Sequence, residues 1–218
     1  SVVTVNLGGE AIPRSLADRV YAQAGIERLY NVYGPSEDTT FSTRALVERE
    51  SERAPSIGRP LDGSQAWVLD RHLSPVPVGV PGELYLGGEG VSRGYLGRPE
   101  LTAERYVPDP FAVSGSRMYR VGDLVRYRPD GILEFLGRID HQVKVRGFRV
   151  EPAEVESALL THGAVRGAAV LPFGGALRAY LETAPGAVSA GELRQHLKSR
   201  LPEYMVPAAY VHLESMPL

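Results

Sequence analysis

Apolar residues recur along this chain in rhythms that change twice. Val2 to Leu7 and Glu27 to Tyr33 (ERLYNVY) are short, nearly continuous apolar runs, the pattern of buried strands. Between them, PRSLADRVYAQAG spaces Leu16, Val20 and Ala24 at helical intervals, with Pro13 near the start and Gly25 after the end. Strand, helix and strand in succession predict a βαβ unit with parallel strands. Ligands collect at the carboxyl ends of such strands. GGEA (residues 8 to 11) and YGPSE (33 to 37) both follow strand ends, so they should open onto one crevice.

From about Arg59 to Gly137, short runs alternate with Gly- and Pro-rich turns: QAWVLD, GELYLGG, RMYRVGD, LVRYR and ILEFLG. Pro129-Asp130-Gly131 is a hairpin signal between the last two. This texture predicts a β-rich barrel or sandwich. After Asp140 come a strand (QVKVRG), a helix from Pro152 to about His162, and strands at GAAVLPF and LRAYLET. Ser189 and Glu192 form a capping-box pair opening a helix with Leu193, Leu197 and Leu201 on one face. AAYVHLE is a last strand. The expected organisation is an α/β piece (1–58), a β-barrel-like piece (59–139) and a small α+β domain with its hinge (140–218).

Composition changes this picture little. The net charge of −2, with both signs interspersed, suggests neither nucleic acid nor an anionic membrane as partner. No apolar run approaches the ~18 residues of a membrane span. There is no cysteine, which excludes disulfides and thiolate metal sites and fits a reducing, cytoplasmic setting. The five histidines lack metal-ligand spacing.

Candidate chemistry gathers in a few stretches. YNVYGPSEDTT (30 to 40) ends a strand on Tyr33 and follows it with a hydroxyl, Ser36, beside a carboxylate, Glu37. It is either an ordinary polar loop or a site for a flat ligand with phosphate and metal. A hard carboxylate suits Mg²⁺, and Tyr33 offers a stacking face. LGGEGVSRGYLGRPELT (86 to 102) is glycine-rich but misses both GxxxxGK[ST] and GxGxxG, so turns between strands explain it on physical grounds. YRVGDL places Asp123 after Gly122, where a carboxylate could take two ribose hydroxyls or simply close a turn. GRIDHQVKVRGFRVE carries three arginines, Lys144 and Asp140 at the apparent domain boundary.

In combination these stretches resemble the adenylation domains of nonribosomal peptide synthetases, within the superfamily of acyl-CoA synthetases and luciferases. YNVYGPSEDTT is similar to NxYGPTE, GELYLGGEGVSRGYLGRPELT to GELxxxGxGVARGYxxRPELT, and YRVGDL to YRTGDL. GRIDHQVKVRGFRVEPAEVE resembles GRxDxQVKIRGxRIExxEIE, and LPEYMVP resembles LPxYMxP. The resemblance implies a partial adenylate-forming-enzyme fold. Its phosphate loop and its α-amino-binding aspartate would precede Ser1, and its catalytic lysine would follow Leu218.

By the resemblance, Tyr33 would stack on adenine, with Gly9, Glu10 and Ala11 against the other face. Asn31 would reach the adenine amine. Ser36 would approach the α-phosphate and Glu37 would hold Mg²⁺. Asp123 would bind the ribose hydroxyls, supported by Arg138. Asp140 would be a hinge between two half-reactions, Lys144 would stand among the catalytic groups, and Arg146, Gly147 and Phe148 would line a pantetheine tunnel. Asn6, Gly8, Val32, Thr40 and Phe41 would shape the side-chain pocket, with Gly8 adding room. The implied reaction joins an amino acid to the α-phosphate of ATP and then passes the acyl group to phosphopantetheine on a peptidyl carrier protein. Other implied partners are the rest of the synthetase and a small MbtH-like activator. Rival readings are an acyl-CoA ligase of the same superfamily and a non-catalytic fragment.

Overall fold

The computed structural model describes residues 2–51, 53–112, 115–140, 142–145, 147–184 and 186–217. The chain divides into two compact units, Ser1–Asp140 and His141–Leu218.

In the first unit, strands β1 (Thr4–Gly8) and β2 (Arg28–Tyr33) lie parallel, joined by helix α1 (Arg14–Tyr21). Two antiparallel strands, β3 (Thr43–Leu46) and β4 (Arg59–Pro60), complete this sheet in sequential order. α1 covers one face, where Ala17, Leu29 and Val47 are buried with Val5 and Leu7 against them. The expectation that the first run is buried fails. β1 pairs only with β2 and only its Val5–Leu7 face is packed, so Val2 and Val3 are exposed and Thr4, Asn6 and Gly8 face outward.

The β-rich stretch forms a curled five-stranded antiparallel sheet from β5 (Ser64–Leu69), β6 (Gly82–Gly88), β7 (Tyr106–Pro108), β8 (Arg117–Tyr127) and β9 (Leu133–Arg138). RMYRVGD and LVRYR, expected as two strands, are one 11-residue strand. Gly122 takes the left-handed φ of 81° inside this strand, and the pairing with β6 shifts across it: Leu124 pairs with Glu83, but Arg120 pairs with Tyr85. A strand absorbs such an irregularity as a bulge, which bends it and re-aims the following side chain. Here that side chain is Asp123. Helix α2 (Pro99–Arg105) starts in the glycine-rich stretch read as turns and runs three residues past it. It buries none of its residues, so no hydrophobic period announces it.

The second unit begins with a hairpin of β10 (Val143–Val145) and β11 (Phe148–Val150), where one strand was expected. Helix α3 (Pro152–Leu160) follows. Strands β12 (Val165–Phe173), β13 (Ala176–Thr183) and β14 (Ala209–Leu213) form a sheet, with helix α4 (Ala190–Lys198) crossing between the parallel pair β13 and β14. Val155, Leu159, Leu181, Leu193 and Leu197 form its core.

The capping box of α4 is complete. The Ser189 hydroxyl accepts from the Glu192 amide at 3.2 Å, and Glu192 Oε2 accepts from the Ser189 amide at 2.8 Å. The backbone N–H of Ser189, then its hydroxyl, holds the Glu192 carboxyl below its usual value of 4.5. Ser189→Ala should destabilise this unit by ~1 kcal/mol. A depressed carboxyl stabilises above its unfolded pKa and loses that effect as pH falls through the folded pKa. Ser189→Ala keeps the backbone N–H and removes only the hydroxyl, so the gap between parent and variant in urea unfolding should hold above 4.5 and narrow only slightly in more acidic buffer. No gap at any pH would count against the box.

Candidate functional site

The parallel pairing of β1 with β2 sets Gly8 beside Val32, so GGEA and YGPSE leave the sheet together, as the βαβ reading expects. Strand alternation then sorts the candidates. Asn6, Gly8 and Val32 share one face, with Asn6 beside Tyr30, while Asn31 falls on the opposite face with Leu7 and Leu29. Gly9, Glu10 and Ala11 are exposed in the loop beyond β1. At Gly8 the two strands approach closely. A Cβ there would stand 2.4 Å from the Val32 carbonyl oxygen and 3.3 Å from the Phe41 ring, so close strand approach accounts for this glycine. Asn31 is buried, and its Nδ2 donates to the Ser56 carbonyl at 2.7 Å. That bond fixes which way the amide faces, a constraint the motif alone does not reveal.

After Tyr33 the chain makes a 3₁₀ turn, Ser36–Asp38, with Ser36 exposed and Glu37 half-buried. Thr39 and Thr40 then adopt φ values of 49° and 79°. β-Branched residues rarely enter this left-handed region, and such strain persists only where neighbours over-determine it. The neighbours here are identifiable. The Ser42 amide donates to the Tyr33 carbonyl at 2.8 Å, closing the loop on itself. The Thr39 hydroxyl donates to the Gly90 carbonyl at 2.7 Å, and the Ser92 amide donates to the Glu37 carbonyl at 2.8 Å. The glycine-rich stretch is thus a strap across the YGPSED loop. Asp38 is buried beneath it; burial pushes its carboxyl up, against a smaller lowering by the Ser42 hydroxyl.

A second polar chain starts from Tyr33, whose hydroxyl donates to Asp123 Oδ2. Arg138 Nη1 donates to Asp123 Oδ1 at 2.7 Å from the paired position on β9. The same guanidinium donates to both Asp140 oxygens, Nε at 2.7 Å and Nη2 at 2.6 Å. Arg105 lies 3.6 Å from Asp140 as well. Two carboxylates therefore face two guanidinium groups, which a largely buried cluster requires. Gly122 permits the close approach: a Cβ there would stand 2.7 Å from Asp140 Oδ2 and 3.0 Å from Arg138 Nη2.

Glu37 joins the β-rich sheet by a separate route. Its Oε1 accepts from the Tyr95 hydroxyl at 2.7 Å, and the Tyr119 hydroxyl lies 3.2 Å from that of Tyr95. Burial raises the pKa of the Tyr95 phenol, with the hydrogen bonds to Tyr119 and Glu37 adding to the rise. Sequence reasoning passed over Tyr95 and Tyr119. Tyr95 stood in the quoted GVSRGYLGRPELT motif, but only the folded strap brings it to Glu37.

In the second unit Lys144 is exposed on β10, Gly147 turns the hairpin with φ 81°, and the exposed Phe148 ring stacks on Tyr204 at 4.2 Å. Arg146 lies outside the described residues. Among the described residues no three His, Asp or Glu side chains group as a metal cluster, and no helix is long and apolar enough to cross a membrane.

The geometry has close counterparts in known proteins. Residues 1–96 match the family described as AMP-binding enzyme, and residues 154–218 match the AMP-binding enzyme C-terminal domain. The chain belongs to the AMP-binding enzymes. Within them it resembles adenylation domains of nonribosomal peptide synthetases. A linear gramicidin synthase of Brevibacillus parabrevis is 50% identical over 225 residues, covering 100% of this chain and 4% of that protein. The crystal structure of IdnL1 matches with a TM-score of 0.90 at 32% identity, over 99% of this chain and 45% of that one. An artificially fused adenylation–PCP di-domain, NpsA–ThdA from Klebsiella oxytoca, matches with a TM-score of 0.80 at 30% identity, over 98% and 43% of the two chains. This AMP-binding enzyme chain therefore has part of the adenylate-forming fold and spans less than half of those solved neighbours.

Proposed function

We propose that this chain supplies the ribose-, adenine- and metal-binding side of an amino-acid-activating site in a nonribosomal peptide synthetase. In the proposed reaction a carboxylate oxygen of the amino acid attacks the α-phosphorus of ATP. The bond to the bridging oxygen breaks, pyrophosphate leaves, and the aminoacyl group later passes to a carrier-protein phosphopantetheine thiol. The observation that carries the reading is the pre-set Asp123 carboxylate. Tyr33 and Arg138 hold it at the end of the parallel pair from which Glu37 also emerges.

In this reading Asp123 accepts from the two ribose hydroxyls, and its existing bonds fix it without reorganisation. Tyr33 and the Gly9–Glu10–Ala11 loop bracket adenine. Ser56 orients the Asn31 amide so that its oxygen is the acceptor for the adenine amine. Ser36, exposed at the turn, approaches the α-phosphate. A lone carboxylate at Glu37 fits an ion usually held by one or two carboxylates plus substrate phosphates. Magnesium, when bound, neutralises phosphate charge. Asp140, where the two compact units meet in sequence, is proposed as the hinge, with Lys144, Arg146, Gly147 and Phe148 serving the second half-reaction. The fused adenylation–PCP neighbour supports a carrier protein as partner. A small MbtH-like activator is a further proposed partner.

The proposed side-chain pocket draws on Asn6, Gly8, Val32, Thr40 and Phe41, none of them charged. A charged substrate would leave an ion buried without a partner, at a cost of several kcal/mol. A small or medium neutral amino acid is expected. ATP–pyrophosphate exchange across an amino-acid panel, on the synthetase that carries this segment, tests both parts. Absence of exchange with every amino acid defeats the activity, and clear preference for lysine, arginine, aspartate or glutamate defeats the pocket.

A further inference from the structure

We propose that Tyr95 is a positioning residue that holds the Glu37 carboxylate in its metal-binding orientation. The inference rests on the reading of Glu37 given above and adds the group that aims it.

Glu37 sits on a single 3₁₀ turn followed by two residues in the left-handed region. A glutamate side chain has several rotamers, and binding an ion requires it to settle into one. The Tyr95 hydroxyl removes that freedom in advance by donating to Oε1 at 2.7 Å. A phenol suits this task because it has few rotatable bonds and a polar tip on an apolar body.

Tyr95 is itself fixed from three sides. Its ring lies edge-on to Tyr106, centroids 5.5 Å apart. Its backbone amide donates to the Thr102 hydroxyl at 3.0 Å, tying it to α2. With the Tyr95 proton committed to Glu37, the Tyr119 hydroxyl, 3.2 Å away, is the donor to the Tyr95 oxygen. Donors in series polarise one another, so the Tyr119–Tyr95–Glu37 relay strengthens its last bond.

The origin of the relay is informative. Tyr119 is fully buried on β8, the strand that also carries Asp123, four residues further on. One rigid strand thus sets both acidic groups: Asp123 directly, and Glu37 through two phenols. A merely structural role for Tyr95 would need only the strap contacts already made without its phenol, the Ser92 amide to the Glu37 carbonyl and the Thr39 hydroxyl to the Gly90 carbonyl. The phenol instead meets the carboxylate.

The test is Tyr95→Phe in the intact synthetase, with Glu37→Gln beside it. Mn²⁺ bound in the presence of a non-hydrolysable ATP analogue is read by electron paramagnetic resonance. The Mg²⁺ concentration for half-maximal pyrophosphate exchange is read separately. Tyr95→Phe should weaken Mn²⁺ binding and raise the Mg²⁺ requirement about tenfold, the effect of one hydrogen bond to a charged group. The Michaelis constant for the amino acid should stay within about twofold, since the phenol touches none of the residues proposed for the side-chain pocket. If Glu37→Gln shifts both metal readouts and Tyr95→Phe shifts neither, Tyr95 is structural and the proposal is overturned. If Glu37→Gln shifts neither, the reading of Glu37 itself fails, and the proposal fails with it. Should Tyr95→Phe not fold, Tyr119→Phe carries the test. It must weaken Mn²⁺ binding in the same direction, and unchanged binding overturns the proposal.

Discussion

On the proposed function, Asp123→Ala in the intact protein is expected to raise the Michaelis constant for ATP about a hundredfold. Two ribose hydroxyls would lose a charged acceptor, each such bond contributing ~1.5–3 kcal/mol. Every 1.4 kcal/mol is about a factor of ten. The variant also removes the carboxylate to which the Tyr33 hydroxyl and one arm of Arg138 donate. Arg138 keeps its two bonds to Asp140, so the sheet should survive. Asp123→Asn separates charge from shape: it keeps the side chain's outline and should recover part of the loss. Calorimetric titration with an ATP analogue, alongside thermal unfolding, is the measurement. A Michaelis constant within about twofold of the parent, with the fold intact, would remove Asp123 from the site.

The largest effect on stability is expected at Gly58. Its φ is 81°, and a Cβ built there would lie 1.8 Å from the Arg44 carbonyl oxygen and 2.2 Å from the carbonyl carbon. Those are backbone atoms of β3, so no rotamer change relieves the clash. Gly58 also bridges to Leu133, whose amide donates to the Gly58 carbonyl at 2.8 Å, joining the parallel-strand sheet to the curled one. Gly58→Ala should cost more than ~4 kcal/mol, the exceptional range for a point substitution. Gly79→Ala is the comparison. It has a similar φ of 86° but no atom within 4 Å of the added Cβ, so it should cost only the ~1–2 kcal/mol of the left-handed backbone. Thermal unfolding of the first unit, followed by circular dichroism, distinguishes the two. Equal, small losses would show that the β3 backbone yields.

The same contrast separates what was legible in the sequence from what was not. Hydrophobic period and turn chemistry are local, and where they act alone the reading holds. α1, the parallel β1–β2 pair, the Pro129-Asp130-Gly131 hairpin and the Ser189–Glu192 capping box are all present. The reading fails where local signals are weak or are overruled by packing. α2 buries no residue and so has no periodic face, and Gly122 marks a bulge within one strand rather than the end of two. β1 reads as buried from its composition, yet only one of its faces is packed.

At the site the division is sharper. The sequence by itself determined which residue types stand in each motif: a tyrosine closing β2 with a hydroxyl and a carboxylate beyond it, and an aspartate directly after Gly122. Motif order was enough for that, because each motif is a continuous stretch. Tertiary structure alone decided which of them meet. Asp123 and Tyr33 are 90 residues apart, Glu37 and Tyr95 are 58 apart, and Asn31 and Ser56 are 25 apart. No local rule brings such pairs into hydrogen-bond contact. The bulge at Gly122 and the strap across the YGPSED loop do so, since a buried carboxylate or amide must find its partner wherever the folded chain presents one.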